Sequence, residues 1–240
     1  MTEPRLDAHP ADGDTVAVAL FCHGGTVASV EPPRERALSV IRMRAVEQFV
    51  SSAAAGRGLT TYLLRYRVAG WNGTAADAHA DVRWALERVR AEHRDVPIML
   101  VGHSMGGRAV LRAGGEAQVV LVCALAPWTP SGEPVDHLRD RTIVILHGRG
   151  DRWVPAPLSA DFARRAHEAG AHVARFTVAG GHSMLRRAYV WHTFVRDVVL
   201  AGAGLAPMRS DVADALARPA PGGLAVNLGG RRPGQENSAL

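Results

Sequence analysis

The 240-residue sequence contains no lysine, only two cysteines and few aromatic residues, which make up 5% of the chain. Cys22 and Cys123 both lie in apolar segments that we expect to be buried strands. Another strand should separate these two, so we expect no disulfide between them. No apolar run is long enough to cross a bilayer, and residues 1–14 lack the apolar core of a signal peptide. We therefore expect a cytoplasmic protein that does not bind membranes.

All 28 basic residues are arginine, and the net charge is +5 at pH 7. Because acidic residues are interleaved with the arginines, no basic arm or patch predicts binding to nucleic acid. The absence of lysine in a chain rich in alanine, glycine, valine and proline is typical of a biased base composition, so it does not by itself indicate an anionic ligand. No histidine or cysteine pair has the spacing of a metal site, and we expect no metal and no other cofactor.

Apolar and amphipathic segments alternate along the chain, which has 47% apolar residues and enough length for one sizeable core. This alternation predicts an α/β fold with a mostly parallel sheet of about six strands and helices on both faces. Strands are predicted over residues 15–22, 59–66, 97–103, 118–125, 141–147 and 172–178. Helices are predicted over residues 35–55, 75–93, 105–113, 157–169 and 184–201.

Composition separates both ends of the chain from this domain, which we place at residues 15–202. Residues 1–14 are polar and have no strand pattern, so we expect a polar N-terminal tail. After residue 202, proline, glycine and polar residues predominate. A short helix fits residues 210–217, but we expect residues 203–240 to form a mobile C-terminal tail.

The most informative motif is GHSMGG at residues 102–107, which follows a predicted buried strand and precedes a predicted helix. A glycine two residues before Ser104 and another two residues after it remove side chains that would collide in a sharp turn, so the serine hydroxyl can be exposed in a strained conformation. The sequence GHSM recurs at residues 181–184, but Leu185 stands where the second glycine is needed. We therefore assign Ser104, and not Ser183, as the candidate nucleophile of a nucleophile elbow.

A serine hydroxyl needs a base to remove its proton, and the base needs a third group that fixes its tautomer. His182 follows the last predicted strand, and Asp151 follows a glycine-rich turn after the preceding strand. The candidate catalytic residues are therefore Ser104, Asp151 and His182. We expect His23 and His103, which flank the site, to shape the pocket or to hold its loops by hydrogen bonds.

An oxyanion in acyl transfer needs backbone donors, and one candidate is the amide of Met105, the residue after the serine. A second donor is expected in the HGGT segment at residues 23–26, where glycine lets a substrate approach the backbone closely. We choose Gly25 as this donor, with Thr26 as the alternative.

Trp71, Trp128 and Trp153 each follow the end of a predicted strand. Ligands bind at the carboxyl ends of strands in open α/β sheets, so these three side chains are candidates for an apolar substrate pocket. Ordinary packing in the core is the alternative for each of them.

Motifs at four predicted strand ends carry a resemblance to a known family. They supply a nucleophile, an acid and a base in that chain order, which is typical of α/β-hydrolases. Over residues 15–200 the chain resembles the small, lidless serine hydrolases and esterases of that superfamily. The motifs are HGG at residues 23–25, GHSMGG at residues 102–107, HGRGD at residues 147–151 and GH at residues 181–182.

This resemblance implies a Ser-His-Asp triad on an α/β-hydrolase fold. The lid should be minimal, because only residues 127–141 are available where many members insert helices. Some members place the acid one strand earlier, which keeps Asp136 and Asp140 as alternatives to Asp151. The superfamily also hosts several chemistries, so the resemblance implies a triad and not a particular substrate.

We expect a serine hydrolase that cleaves a small, mainly apolar carboxylic ester through an acyl-enzyme intermediate. The alternatives are a thioesterase or peptidase with the same triad, and a non-hydrolytic relative such as a lyase, a perhydrolase or a binding module. The expected partner is a small-molecule substrate, and the sequence leaves the oligomeric state open.

Overall fold

The apolar segments of the sequence form the central strands of one sheet. The structure is a computed structural model that describes residues 3–229. The strands of this part of the chain are β1 (Arg5–His9), β2 (Ala17–Cys22), β3 (Leu59–Arg65), β4 (Ile98–His103), β5 (Val119–Leu125), β6 (Thr142–Gly148), β7 (His172–Val178) and β8 (Val226–Leu228). The helices are α1 (Leu38–Ala53), α2 (Asp77–Glu92), α3 (Met105–Arg112), α4 (Ala156–Glu168), α5 (Ala188–Gly202) and α6 (Ser210–Ala217). No helix within residues 3–229 is long and apolar enough to cross a bilayer.

The strand order is β1-β3-β2-β4-β5-β6-β7-β8, and every neighbouring pair is parallel except β1 and β3. Successive residues of β2 are fully buried and alternate between two core clusters, one on each face of the sheet. Leu20 joins the cluster that packs against α2, α3 and α4, and Phe21 joins the cluster that packs against α1, α5 and α6. The predicted α/β class with helices on both faces is confirmed, and the described sheet has eight strands where six were predicted.

The first additional strand lies in the N-terminal segment, so the prediction of a polar tail without a strand over residues 1–14 is wrong. β1 pairs antiparallel with β3, and Leu6 packs against the core. The Asp7 carboxylate accepts hydrogen bonds from Arg44 at 2.8 Å and from Arg65 at 3.4 Å. This strand has little apolar content of its own, because it lies at the sheet edge and is held by pairing and ion pairs.

The described part of the C-terminal segment also belongs to the fold, so the prediction of a mobile tail from residue 203 is wrong up to residue 229. α6 buries Val212 and Ala215 against the sheet, and β8 pairs parallel with β7. Arg175 of β7 donates its backbone N–H to the Gly223 carbonyl at 2.9 Å and its Nη1 to the Leu224 carbonyl at 3.3 Å. The short helix that fits residues 210–217 in the sequence is α6, whereas the three residues of β8 are too few to give a clear sequence pattern. The rest of the predicted tail, residues 230–240, lies outside the described residues.

The connection between β5 and β6 is short, as predicted, and it packs down onto the domain. It contains a single turn of 3-10 helix at Asp136–Leu138. The buried Glu133 carboxylate in this connection accepts hydrogen bonds from Arg108 at 2.7 Å and from Arg112 at 2.5 Å, both on α3. Charge-assisted pairs of this kind fix the connection against α3 and keep it from covering the strand ends as a lid.

Truncation after residue 222 should destabilise the protein, because it removes the carbonyl groups that bind Arg175 and the buried Leu224 side chain. We expect the free energy of unfolding to fall by about 2–5 kcal/mol, because one buried leucine is lost and two donors of Arg175 lose their acceptors. Urea denaturation measures this change. The control is Asn227→Ala in β8, whose side chain is exposed and which should change the value by less than about 0.5 kcal/mol. A truncated chain as stable as the full chain would contradict this packing.

Candidate active site

The carboxyl ends of four parallel strands bring the sequence motifs to one edge of the sheet. The HGGT segment follows β2, and Ser104 follows β4. Asp151 lies after β6, and His182 lies after β7. Side chains that are distant in the sequence therefore meet at this edge, where open α/β sheets bind their ligands.

Ser104 occupies a sharp turn between β4 and α3, with φ 56° and ψ −116°. A positive φ is strained for a residue with a side chain. The flanking glycines are required by close packing, because a Cβ on Gly102 would overlap the Gly106 carbonyl and a Cβ on Gly106 would overlap the Cys22 carbonyl. The geometry is that of the nucleophile elbow that the GHSMGG motif predicts.

The structure brings Ser104, His182 and Asp151 into one hydrogen-bonded line. His182 Nδ1 lies 2.7 Å from Asp151 Oδ2, and His182 Nε2 lies 2.8 Å from Ser104 Oγ. A carboxylate can only accept, so Nδ1–H donates to Asp151 and Nε2 is free to accept the hydroxyl proton of Ser104. In the described part of the chain, neither Asp136 nor Asp140 lies within hydrogen-bond distance of His182, so the geometry favours Asp151 over both alternatives.

Asp151 is held in its charged form by several donors. The backbone amides of Trp153 and Val154 each donate to Oδ1 at 2.9 Å. His147 Nε2 donates to the Val154 carbonyl at 2.9 Å and also lies 3.3 Å from Asp151 Oδ2. Burial raises the pKa of Asp151, but the hydrogen bonds from His147, Val154 and His182 outweigh it, and the pKa lies well below its ordinary value. The sequence motif HGRGD includes His147, but its spacing did not reveal that His147 holds the carboxylate.

His103, the residue before the serine, holds the backbone of His182 in place. It is buried, and its Nε2 donates to the backbone carbonyl of His182 at 2.9 Å. The rings of these two histidines lie 4.8 Å apart. His23 is buried at the end of β2, where its Nδ1 donates to the Gly24 carbonyl at 2.7 Å. His103 and His23 therefore each donate a hydrogen bond to a backbone carbonyl in a loop of the site.

Gly25 and Met105 line the same cavity as Ser104. Thr26, the alternative to Gly25, donates its amide to the Ala69 carbonyl at 2.8 Å, so that amide is already used. Gly25 donates to no acceptor within residues 3–229, and a Cβ there would overlap the Ala69 carbonyl and the Met105 side chain. Met105 is the first residue of α3, where the helix supplies no acceptor for its amide. Both amides can therefore bind an oxyanion.

A cavity of about 700 Å³ opens beside Ser104. Trp128 and Trp153 line this cavity, as predicted, and Trp153 is 84% exposed at its mouth. Trp71 does not line it, so that prediction is wrong. The Trp71 ring is only 2% exposed and packs edge to face behind Trp128, with the Arg108 guanidinium 3.9 Å from its centre. Its position after a strand end did not reveal that the ring turns inward.

Further residues of the cavity wall come from segments without a motif. The N-terminal turn of α1 contributes Leu38, Ser39 and Arg42, and Val27 and Leu185 add exposed apolar surface at the rim. Within residues 3–229, no group of three or more histidine, cysteine, aspartate or glutamate side chains is arranged to hold a metal ion. Many of the residues that line the cavity are apolar, and two of them, Arg42 and Arg152, are arginines.

Known proteins were compared with the chain by sequence and by structure. No protein-family model and no curated protein sequence matches it. Solved structures do match, among them an α/β serine hydrolase homologue from Coxiella burnetii, with a TM-score of 0.61 and 14% identity over 80% of this chain and 90% of that chain. A lidless α/β serine hydrolase from Xanthomonas campestris matches with a TM-score of 0.55 and 17% identity, over 84% of this chain and 88% of that chain.

A third similar structure is an esterase from Butyrivibrio proteoclasticus with bound ferulic acid. Its TM-score is 0.62 at 14% identity, and the match covers 84% of this chain and 96% of that chain. Identities this low show a shared fold and leave the activity to be argued from the site itself. The chain has the α/β-hydrolase fold.

Proposed function

We propose that the protein is a serine hydrolase that cleaves small, mainly apolar carboxylic esters through an acyl-enzyme intermediate. The observation that carries the proposal is the continuous line of hydrogen bonds from Asp151 through His182 to Ser104, beside an open cavity. The similar solved structures support it, because they include serine hydrolases and esterases. A binding module on this fold would not need a base aligned on a strained serine.

In the first half of the reaction, Ser104 Oγ attacks the ester carbonyl carbon while His182 Nε2 takes the hydroxyl proton. Asp151 stabilises the imidazolium that forms, and the amides of Gly25 and Met105 bind the oxyanion of the tetrahedral intermediate. The intermediate then collapses. The bond from the carbonyl carbon to the alcohol oxygen breaks, and His182 gives its proton to the departing alcohol.

In the second half, a water molecule takes the place of the alcohol and attacks the acyl-enzyme. His182 removes a proton from this water, and the second tetrahedral intermediate uses the same two amides. Its collapse releases the carboxylic acid and returns the proton to Ser104. Thioesters and amides can react with the same groups, so a panel of esters, thioesters and peptides is needed to rank them.

The cytoplasmic location of the protein stays a prediction.

His103 acts in this proposal as a positioning residue and not as an acid or a base. Burial, together with the nearby His182, lowers the pKa of His103 to about 3, so its ring is neutral at neutral pH. A neutral ring with its proton on Nε2 can keep donating to the His182 carbonyl. The loop that carries the base is therefore fixed without a second positive charge beside it.

Ser104→Ala should lower kcat for a short-chain ester by on the order of 10⁴-fold or more, because it removes the nucleophile and little packing. Steady-state kinetics on a soluble chromogenic ester measures the loss. Ser183→Ala is the matched control, since Ser183 lies in the same GHSM sequence without an elbow, and this variant should keep most of its activity. The reverse ranking of the two variants would disprove the assignment of the nucleophile.

Replacement of the exposed Trp153 by alanine should raise KM for aromatic or medium-chain acyl esters more than for acetyl esters, because the lost interaction is apolar contact. Trp71→Ala should act differently and lower the free energy of unfolding by about 3–5 kcal/mol, because the ring lies in the core. Kinetics with an ester series and urea denaturation distinguish the two effects. Equal changes in KM for acetyl and longer esters in Trp153→Ala would contradict the apolar pocket.

The stability of the protein should fall as the pH is lowered from 7 towards 5. Burial lowers the pKa of His103 to about 3 and that of His23 to about 4, whereas both titrate near 6.5 when the chain is unfolded. Between these values the unfolded state binds more protons, so each histidine contributes a slope of up to about 1.4 kcal/mol per pH unit to the free energy of unfolding. In His103→Gln, urea denaturation at several pH values should show a smaller slope. A slope equal to that of the wild type would refute a neutral, buried His103.

A further inference from the structure

Arg42 is a charged side chain in the wall of the cavity that the mechanism does not use. It lies on α1 one helical turn after Leu38, and both residues line the cavity beside Ser104. Its Nε is buried and has no hydrogen-bond partner. Within residues 3–229, its guanidinium forms no hydrogen bond and no ion pair.

A partly buried guanidinium without a partner is exceptional among residues 3–229, because burial of a charge costs free energy unless hydrogen bonds or an opposite charge offset it. Burial lowers the pKa of Arg42, and no neighbouring carboxylate acts in the opposite direction. Several other arginines with low exposure have a carboxylate partner. These pairs are Arg65 with Glu35, Arg67 with Asp81, and Arg108 and Arg112 with Glu133.

Two carboxylates, one on the same helix and one beside the catalytic histidine, already have other partners. Glu47, on the same helix, is buried and bonds to Thr61 and His9. Asp151 is bound by His182 and by the amides that follow it in the chain. Within residues 3–229, neither of these carboxylates nor any other forms an ion pair with Arg42.

The cavity as a whole has a positive wall. Its charged lining residues within the described chain are Arg42 and Arg152, and no aspartate or glutamate lines it. The charge of Arg42 also contributes to the lowered pKa of His103, which places the guanidinium within electrostatic range of the elbow. Apolar side chains, among them Leu38 and Trp153, line the same cavity as the two arginines and Ser104. A ligand that fits this wall has an apolar segment with a negative charge near it.

We propose that Arg42 binds a carboxylate of the substrate, so that the preferred substrates are esters whose apolar chain ends in a free carboxylate. The proposal rests on the function proposed above and specifies its substrate class. A guanidinium donates to both oxygens of a carboxylate in a fixed fork, so this pairing gives orientation as well as affinity. Monoesters of linear dicarboxylic acids have this chemistry, and their hydrolysis consumes one water and releases an alcohol and the dicarboxylate.

The test compares kcat/KM for charged and neutral substrates of the same shape. Monoethyl esters of linear dicarboxylic acids, from succinic to suberic acid, are each paired with the analogue in which a carboxamide replaces the free carboxylate. A second series carries the carboxylate on the alcohol side, as acetate esters of ω-hydroxy acids with their carboxamides. The wild type should prefer the charged member of at least one series.

The quantity compared is kcat/KM for the charged ester divided by kcat/KM for its neutral partner. Arg42→Gln should reduce this ratio by about 10- to 100-fold, because charge-assisted hydrogen bonds are lost. Most of the change should be in KM. Arg42→Lys should restore part of the ratio, since it returns the charge without the fork. Arg94→Gln is the matched control. It removes the same charge from an exposed arginine between α2 and β4, at the opposite ends of the strands, and should keep the wild-type ratio.

A wild-type enzyme that prefers the neutral esters in both series, or a ratio that Arg42→Gln leaves unchanged, would overturn the proposal. Ser104→Ala, measured on the same substrates, separates this outcome from failure of the proposed function. If Ser104→Ala abolishes turnover and Arg42→Gln leaves the ratio of kcat/KM values unchanged, the hydrolase proposal stands and the carboxylate site is rejected. If Ser104→Ala retains turnover of both esters, the hydrolase proposal itself fails.

Discussion

The site depends on how closely the start of α3 approaches the end of β2. The backbone of Gly106 lies so near the carbonyl groups of Cys22 and His23 that a side chain at Gly106 would overlap both. This contact holds Ser104 in its strained conformation, because the helix cannot shift away without losing its packing on the sheet. The same approach brings Gly25 against the Met105 side chain, so the two candidate oxyanion donors are placed by the contact that places the nucleophile.

Around this contact, buried polar groups hold the reacting side chains in place. His103 fixes the loop of His182, and His147 joins two backbone amides in holding Asp151. The Arg108 guanidinium also supports the wall of the cavity. It contacts the rings of both Trp71 and Trp128 and pairs with a buried carboxylate in the connection after β5. Cation–π contacts and ion pairs of low exposure are strong enough to keep such a wall rigid. Core packing and pocket shape are therefore linked through one arginine.

Local patterns made the centre of the molecule predictable. The elbow requires glycines at fixed spacing after an apolar strand, and parallel strands bring their carboxyl ends together, so Ser104, Asp151 and His182 could be chosen before any contact was known. Tertiary contacts decided what the sequence did not reveal. β1 and β8 are edge strands fixed by their neighbours. Trp71 turns inward and contacts Arg108, and Arg42 lies on a helix that carries no motif. Charge and aromatic content alone do not show which way a side chain points.

The most direct test of the central claim is to react the protein with a fluorophosphonate and to locate the adduct by mass spectrometry of its peptides. Such reagents modify a serine only where a base activates it and donors stabilise the charged oxygen. The geometry predicts a single adduct on Ser104 and a strongly reduced rate of labelling in Asp151→Asn, because the amide favours the wrong tautomer of His182. No adduct, or an adduct on Ser183, would contradict the claim that Ser104 is an activated nucleophile.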